Sequence, residues 1–464
     1  MTGASDEGRV PGSFRDPNGY VFRRDGRIHR AILQPGAADY DRLMASGLYE
    51  ALSSSGRLVA HEELPGSDGT HRVLVPEQIP FVSWPYEWCF GQLKAAALLT
   101  LELQRTAVAH GMTLRDASAY NVQFVGARPI FLDTPSFGAY VEGEPWVAYG
   151  QFCRHFLAPL LLVSRIDVGL ARLLESHIDG VPLPLASRLL PWRSWLRLGE
   201  LFHLHLHARS TVRHADDAAI DVAPRRATGA GVSKMALLGM IDSLEGLVRR
   251  LDWTPAGTEW AEYYAHTSYT AASHEHKASV VRDLLSRVGP LGTVWDLGAN
   301  TGRFSAVAAR LAAHVVSFDV DPAAVERHFR QVSASDDQKT LPLVQDLTNP
   351  SRGTGWAGTE RASLRDRGPA DAVLALALVH HLALSNNVPL PMIARFLADV
   401  GRTAIVEFVP RSDPQVKRLL ATRPDVFPDY TPAGFERGMG TAFEILARVP
   451  LLESDRVIYL LGPR

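Results

Sequence analysis

The clearest chemical pattern in the chain lies in VWDLGANTGRFS, residues 294–305. A short apolar run ends in Asp296, and Gly298, Asn300 and Gly302 then form a tight turn into the helical stretch RFSAVAARLA. Glycine is wanted at such a turn because the backbone must approach a ligand with no Cβ in the way, at the carboxyl end of a strand where open α/β sheets bind ligands. The spacing is D-x-G-x-x-x-G, which is not the G-x-G-x-x-G of a dinucleotide turn. Arg303 and Phe304 follow Gly302, so the Gly-Lys-Ser/Thr of a phosphate loop is missing as well. An acid on this loop suits a ligand with a cationic amino group. Asp319, in HVVSFDVDP, follows Asp296 by 23 residues, where a strand-end carboxylate accepts from both ribose hydroxyls. Asp346, in LPLVQDLT, ends a third apolar run and can accept from an adenine amino group.

Further groups stand close to this set in sequence. ADAVLALALVHHL carries an apolar run into His380 and His381, and a neutral imidazole titrates in the range of a general base. Glu407, in IVEFVP, is another strand-end acid pointing inward. Upstream, EWAEYYAHTSYTAASHEHK offers Tyr263, Tyr264, Tyr269 and Lys277 as a lid over the ligand, with Tyr264 as its contact.

These residues need a frame that brings strand ends together. From 259 onward seven strand candidates occur: TVWDLGA, HVVSFDV, LPLVQDL, ADAVLALALV, RTAIVEFV, FEILARV and RVIYLLG. Helical stretches at 302–313, 322–334 and 389–399 separate the early ones, an alternation that predicts a parallel, doubly wound sheet. On Asp296, Gly298, Gly302, Asp319 and Asp346, residues 260–464 resemble the class I S-adenosylmethionine-dependent methyltransferases. The resemblance implies a Rossmann-like seven-stranded sheet that ends in an antiparallel hairpin, here FEILARV and RVIYLLG. It implies S-adenosylmethionine as cofactor, lying across the strand ends, with His380 and His381 in the substrate-facing position after the fourth strand. The lid segment, HHLALSNNVPL and EFVP are also similar to a bacterial group that includes nodulation-type methyltransferases.

The N-terminal region reads differently. A hairpin turning at Asp25-Gly26 precedes a helix over DYDRLMASGLYEALSSSG, two strands (RLVAHEEL and HRVLVPEQIPFV), a long helix ending at Gly111 and two short strands, NVQFV and PIFLD. Asp116 and Asn121 have the D-x-x-x-x-N spacing of a kinase catalytic loop, and Asp133 stands where kinases carry a metal-binding aspartate. Residues 14–165 therefore resemble a kinase-like α+β domain. The departures are a missing Gly-rich loop, Arg30 in place of lysine, Leu114 in place of histidine and Thr134-Pro135 after Asp133. Glu50 is the expected partner of Arg30. Three readings stay open here: a degenerate scaffold, a phosphotransferase using Asp116 as base with Asn121 and Asp133 on Mg²⁺, or an unrelated fold. For the whole chain the alternatives are a bifunctional kinase-like phosphotransferase/methyltransferase and a non-catalytic adaptor retaining both folds.

Composition frames these expectations. The 464 residues suit two or three domains, and the net charge of −2 provides no global positive field for nucleic acid. The expected partner is a small-molecule substrate, with neither nucleic acid nor membrane. Two cysteines, Cys89 and Cys153, exclude a disulfide scaffold or a cysteine zinc ribbon. The polar start and the lack of a long apolar run make a cytoplasmic location the expectation. The layout expected is a disordered tail over 1–13, the kinase-like domain over 14–165, a helical extension and linker over 166–258, and the methyltransferase-like domain over 259–464. His203, His205 and His207 in FHLHLHA share a face on a strand, whereas on a helix only His203 and His207 do. No acid or cysteine completes a metal set, so a structural role is expected and no metal site is assigned. Oligomeric state is not legible.

Overall fold

The computed structural model describes residues 8–66, 69–210, 231–256, 271–335, 337–421 and 426–464. In the N-terminal half, β1 (Gly8–Arg9), β2 (Gly19–Arg24), β3 (Arg27–Leu33), β4 (His61–Pro65) and β5 (Thr70–Pro76) form one antiparallel sheet in the order β1-β2-β3-β5-β4. Asp25 and Gly26, at φ 51° and 71°, make the two-residue turn whose twist matches its flanking strands. The expected disordered tail does not extend through residue 13. Gly8 and Arg9 pair with Arg23 and Phe22, and the Val10 N–H bonds to the Val21 carbonyl at 2.9 Å. The single helix expected next is two, Ala37–Ala45 and Leu48–Ser54, because Gly47 at φ 75° breaks the run.

The helix Phe90–Ala109 is buried along most of its length and is the axis of this half. The short pairs β6 (Met112–Leu114) with β9 (Phe137–Ala139), and β7 (Val122–Val125) with β8 (Arg128–Phe131), follow it in the chain. The helix Lys234–Arg250 packs on it through Leu237, Ile241, Leu244, Leu247 and Val248, a three-and-four spacing that puts them on one face. Lys94 Nζ reaches the Leu251 carbonyl at 2.6 Å, and Arg105 reaches Glu245 at 2.9 Å. The described helical segments between 166 and 256 therefore share the core of the N-terminal half.

In the C-terminal half all seven expected strands form: β10 (Leu291–Leu297), β11 (Ala312–Asp319), β12 (Thr340–Val344), β13 (Ala370–Ala375), β14 (Gly401–Phe408), β15 (Phe443–Pro450) and β16 (Val457–Pro463). Their order is β12-β11-β10-β13-β14-β16-β15, with β16 alone running against the rest. The central strands are buried on both faces, which is why they read as unbroken apolar runs and not as alternating ones. Strand order reverses between β10 and β13, opening a crevice at their carboxyl ends. The run ADAVLALALV is strand only to Ala375, since Ala377 sits at φ 52° and turns the chain into the short helix His381–Ser385.

The two halves share one apolar core. Phe81 packs edge-on against Trp295 and Phe318, at centroid distances of 5.5 and 5.9 Å. Across the same seam Arg367 grips Glu87 with two hydrogen bonds of 2.8 and 2.5 Å, while Glu87 also accepts from the Trp84 N–H at 2.8 Å. Both side chains are buried. Removing one partner of a buried bidentate pair leaves the other charge uncompensated. Arg367→Met is expected to lower the unfolding free energy by about 3 kcal/mol in urea titrations followed by tryptophan fluorescence; a loss below about 1 kcal/mol would show that the seam does not depend on this pair.

Candidate functional site

The turn after β10 is built by backbone geometry that few residues adopt. Gly298, Asn300 and Gly302 lie at φ 78°, 51° and 81°. The Gly298 and Ala299 N–H groups donate to the Phe318 carbonyl at 2.8 and 2.9 Å, tying the turn to β11. The Asn300 N–H donates to Asp319 Oδ2 at 2.7 Å, and the Asp321 N–H to Asp319 Oδ1 at 2.9 Å. Asp321 in turn caps the helix Pro322–Ser333. Asp296 Oδ2 accepts from Ser305 Oγ at 2.6 Å, and Ser317 Oγ lies 2.9 Å from Ser305 Oγ. Burial pushes both Asp296 and Asp319 up to about 6. For Asp296 the neighbouring Asp319 adds to the rise, while Ser305 and Lys277 oppose it.

These residues border a cavity of about 470 Å³ at the strand ends. Asp296, Gly298, Asn300, Asp319, Asp346 and His381 all lie on its wall, so most of the expected set comes together. Asp346 is half-buried, and its Oδ1 accepts from the Thr348 N–H and hydroxyl at 2.8 and 2.6 Å. Arg172, from the N-terminal half, stands 4.0 Å from Asp346 Oδ2. Two expectations need correction. Gly302 is not on the cavity wall, and a Cβ there would lie 2.0 Å from His328 Nε2, so this glycine is required by packing. His380 is buried at 1% exposure and is also absent from the wall, with its Nδ1 unpartnered among the described residues. Burial and the adjacent His381 hold His380 well below the ordinary histidine range. His381 is on the wall, but burial, then Arg456, lower it to about 4, which makes it a weaker base than its residue type suggests. Tyr263, Tyr264 and Tyr269 lie outside the described residues.

Lys277 is not part of a mobile cover. It sits in the helix Ala271–Val288, buried on the cavity wall, with Nζ 2.6 Å from Glu407 Oε2 and 4.6 Å from the centre of the Phe304 ring. Burial lowers the lysine and Glu407 opposes that. Glu407 Oε1 also accepts from Arg456 Nη1 at 3.3 Å, and Arg456 Nε donates to Asp413 Oδ2 at 2.8 Å. This buried chain of alternating charges runs from the cavity into the core. Glu407 stood out in the sequence. Arg456 did not, because a lone arginine before a strand reads as a solvated end, and Asp413 before Pro414 reads as a helix cap, which it also is.

In the N-terminal half, Asp116 Oδ1 accepts from the Ser118 N–H at 2.9 Å and from Gln151 Nε2 at 2.8 Å. Burial first, then the charge of Asp133, push Asp116 upward. Arg30 does not pair with Glu50, which is exposed. Its guanidinium binds Asp133 directly and reaches Asp16 at 3.1 Å, while the Ser136 hydroxyl donates to the other Asp133 oxygen. His203 and His205 lie in a helical segment, each with both ring nitrogens on hydroxyls: Tyr149 and Ser243 for His203, Ser187 and Ser194 for His205. His207 stacks on Tyr149.

The strand order, the glycine turn after β10 and the two carboxylates at the ends of β10 and β11 define a class I methyltransferase fold in the C-terminal half. No protein-family model matches the chain. The chain belongs to the family of nodulation protein NoeA of Rhizobium meliloti (strain 1021), to which it is 36% identical over 470 residues, covering 99% of this chain and 97% of that relative. Among solved structures, magnesium protoporphyrin IX methyltransferase ChlM from Synechocystis PCC 6803 with bound SAH is 18% identical over 44% of this chain and 92% of its own, at a TM-score of 0.32. The bifunctional kinase-methyltransferase WbdD is 17% identical over 47% of this chain and 45% of its own, at a TM-score of 0.29. Likenesses this loose carry no argument, and the fold rests on the chain's own sheet.

The two glycines should respond differently to alanine. At Gly302 the methyl would collide with His328, and Gly302→Ala is expected to cost about 3 kcal/mol. At Gly298 the nearest atom is Leu378 Cδ1 at 3.3 Å, so the cost is mainly backbone strain, about 1–2 kcal/mol. Chemical denaturation of both variants checks the order.

Proposed function

We propose that the C-terminal half transfers the methyl group of S-adenosylmethionine to a small-molecule acceptor. The observation that carries this reading is the meeting of Asp296, Asp319 and the Gly298 turn on one cavity wall at the carboxyl ends of β10 and β11. The donor set fits the cofactor. Each Asp319 oxygen takes one backbone N–H, which leaves lone pairs for two ribose hydroxyls. Asp296 offers the same to an ammonium group, and Asp346 to an adenine amino group. When bound, S-adenosylmethionine supplies a methyl group on an already activated sulfonium. The chain's own task is then to orient the partners and exclude water. Ala377 and His381, after β13, line the cavity, and in this reading they face the acceptor. His381 is neutral at physiological pH and serves as a hydrogen-bond acceptor. Lys277, held by Glu407 at 2.6 Å, stands on the cavity wall. A small acceptor is supported by the cavity volume and by the absence of net positive charge.

The experiment is calorimetric titration of the full chain with S-adenosylmethionine and S-adenosylhomocysteine. Binding is expected, and Asp319→Ala should weaken it about thirtyfold through two lost charge-assisted hydrogen bonds. Affinity should also fall as pH drops through about 6, since protonated Asp319 loses acceptor capacity. No heat with either ligand would remove the methyltransferase reading and leave the adaptor.

The N-terminal half we read as a kinase-like scaffold without phosphotransfer. The specific observation is the occupation of Asp133, the metal-binding candidate, by the permanently charged Arg30 and by Ser136. Titration with ATP and Mg²⁺ should therefore show no binding; binding that Asp133→Asn abolishes would restore the phosphotransferase.

A further inference from the structure

Between Gly180 and Ser210 the chain exposes far more apolar surface than a packed helical segment needs. Trp192 is 68% exposed, Leu196 71%, Leu198 71%, Phe202 56% and Leu206 40%. Leu198, Phe202 and Leu206 recur every four residues and so form one stripe on the helical run 198–210. Trp192 and Leu196 are the two ends of the preceding 3-10 turn, Trp192–Leu196. The two pieces are locked side by side. Trp195 stacks on His205 at 4.0 Å and lies under Arg209 at 4.6 Å, while His205 binds Ser187 and Ser194 through its two nitrogens, both at 2.8 Å. The apolar stripe is therefore a preformed ledge, and the histidine explains its rigidity.

Among the described residues of this segment, the exposed charges have one sign. Arg188, Arg193 and Arg209 are exposed and have no acidic partner among the described residues. The segment's single acid, Glu200, is buried and held by Arg165 and Arg197 at 2.9 and 3.2 Å. This local excess of positive charge stands out on a chain whose net charge is −2. Exposed tryptophan, phenylalanine and leucine rimmed by arginine is the composition of a surface that settles into the headgroup layer of a bilayer, with rings and aliphatic chains inward and guanidinium groups on phosphates. Self-association would set arginine against arginine across a two-fold axis, with no exposed acid among the described ledge residues to relieve it. No described helix is long and apolar enough to cross a membrane, so attachment would be on one face.

We propose that the arginine-rimmed ledge formed by residues 188–209 docks the protein on an anionic lipid surface. This stands apart from the methyltransferase reading, and it revises the expectation from sequence of no membrane partner. The test is flotation of the full chain with vesicles of phosphatidylcholine alone or with about 30% phosphatidylglycerol. The chain should float with the anionic vesicles, not with the neutral ones, and about 0.5 M salt should release it. Leu198→Ser with Phe202→Ser should weaken flotation about tenfold, and so should Arg188→Gln with Arg193→Gln. All four side chains are exposed, so the melting temperature should not move; if the first pair fails to fold, the arginine pair decides alone. No flotation with anionic vesicles, equal flotation with neutral ones, or flotation unchanged in the arginine pair would overturn the proposal. So would light scattering that shows a dimer lost in the Leu198 and Phe202 variant without any vesicle binding, since the ledge would then face a second copy.

Discussion

A carboxylate held out of water at the end of β11 is the constraint on which the C-terminal half turns. Asp319 is nearly buried, and it accepts the backbone N–H groups of Asn300 and Asp321. To deliver the first of these, the turn after β10 must pass through positive φ, which is why glycine and asparagine stand there. To deliver the second, the chain must turn sharply into the helix capped by Asp321. The crevice, the glycine turn and the start of that helix are thus consequences of one arrangement. Its cost in desolvation appears as the upward displacement of both strand-end acids.

The charges that run from Lys277 into the core obey a different rule. Lys277, Glu407, Arg456 and Asp413 alternate in sign and bury one another, so none is left as an uncompensated charge. They come from a helix before the sheet, the end of β14, the residue before β16 and a helix cap. The cavity wall thus carries both the raised acids Asp296 and Asp319 and the paired cation Lys277.

The two halves are not independent bodies. The core is continuous across the seam, Glu87 and Arg367 bridge it, and Arg172 approaches Asp346 at the cavity rim. The N-terminal half thus reaches the place where the proposed adenine end would lie. Its Asp133 is paired with Arg30, a side chain that cannot give up its charge.

Much of the C-terminal half was legible in the residues because its strands are buried on both faces and its turn needs glycine. Those are local requirements, written as apolar runs and as D-x-G-x-x-x-G, so Asp296, Gly298, Asp319 and Asp346 could be placed without a structure. What chain order could not settle was direction and distance. Gly302 belongs to packing because His328, 26 residues later, fills the space beside it. Of two adjacent histidines one faces the cavity and the other the core, a difference of side-chain direction that residue type does not encode. Arg30 takes Asp133 instead of Glu50, and Lys277 takes Glu407, because folding brings together charges far apart in the chain. Local sequence determined where backbone conformation is forced; tertiary structure decided which charges meet, since that depends on burial, and burial is a property of the whole fold.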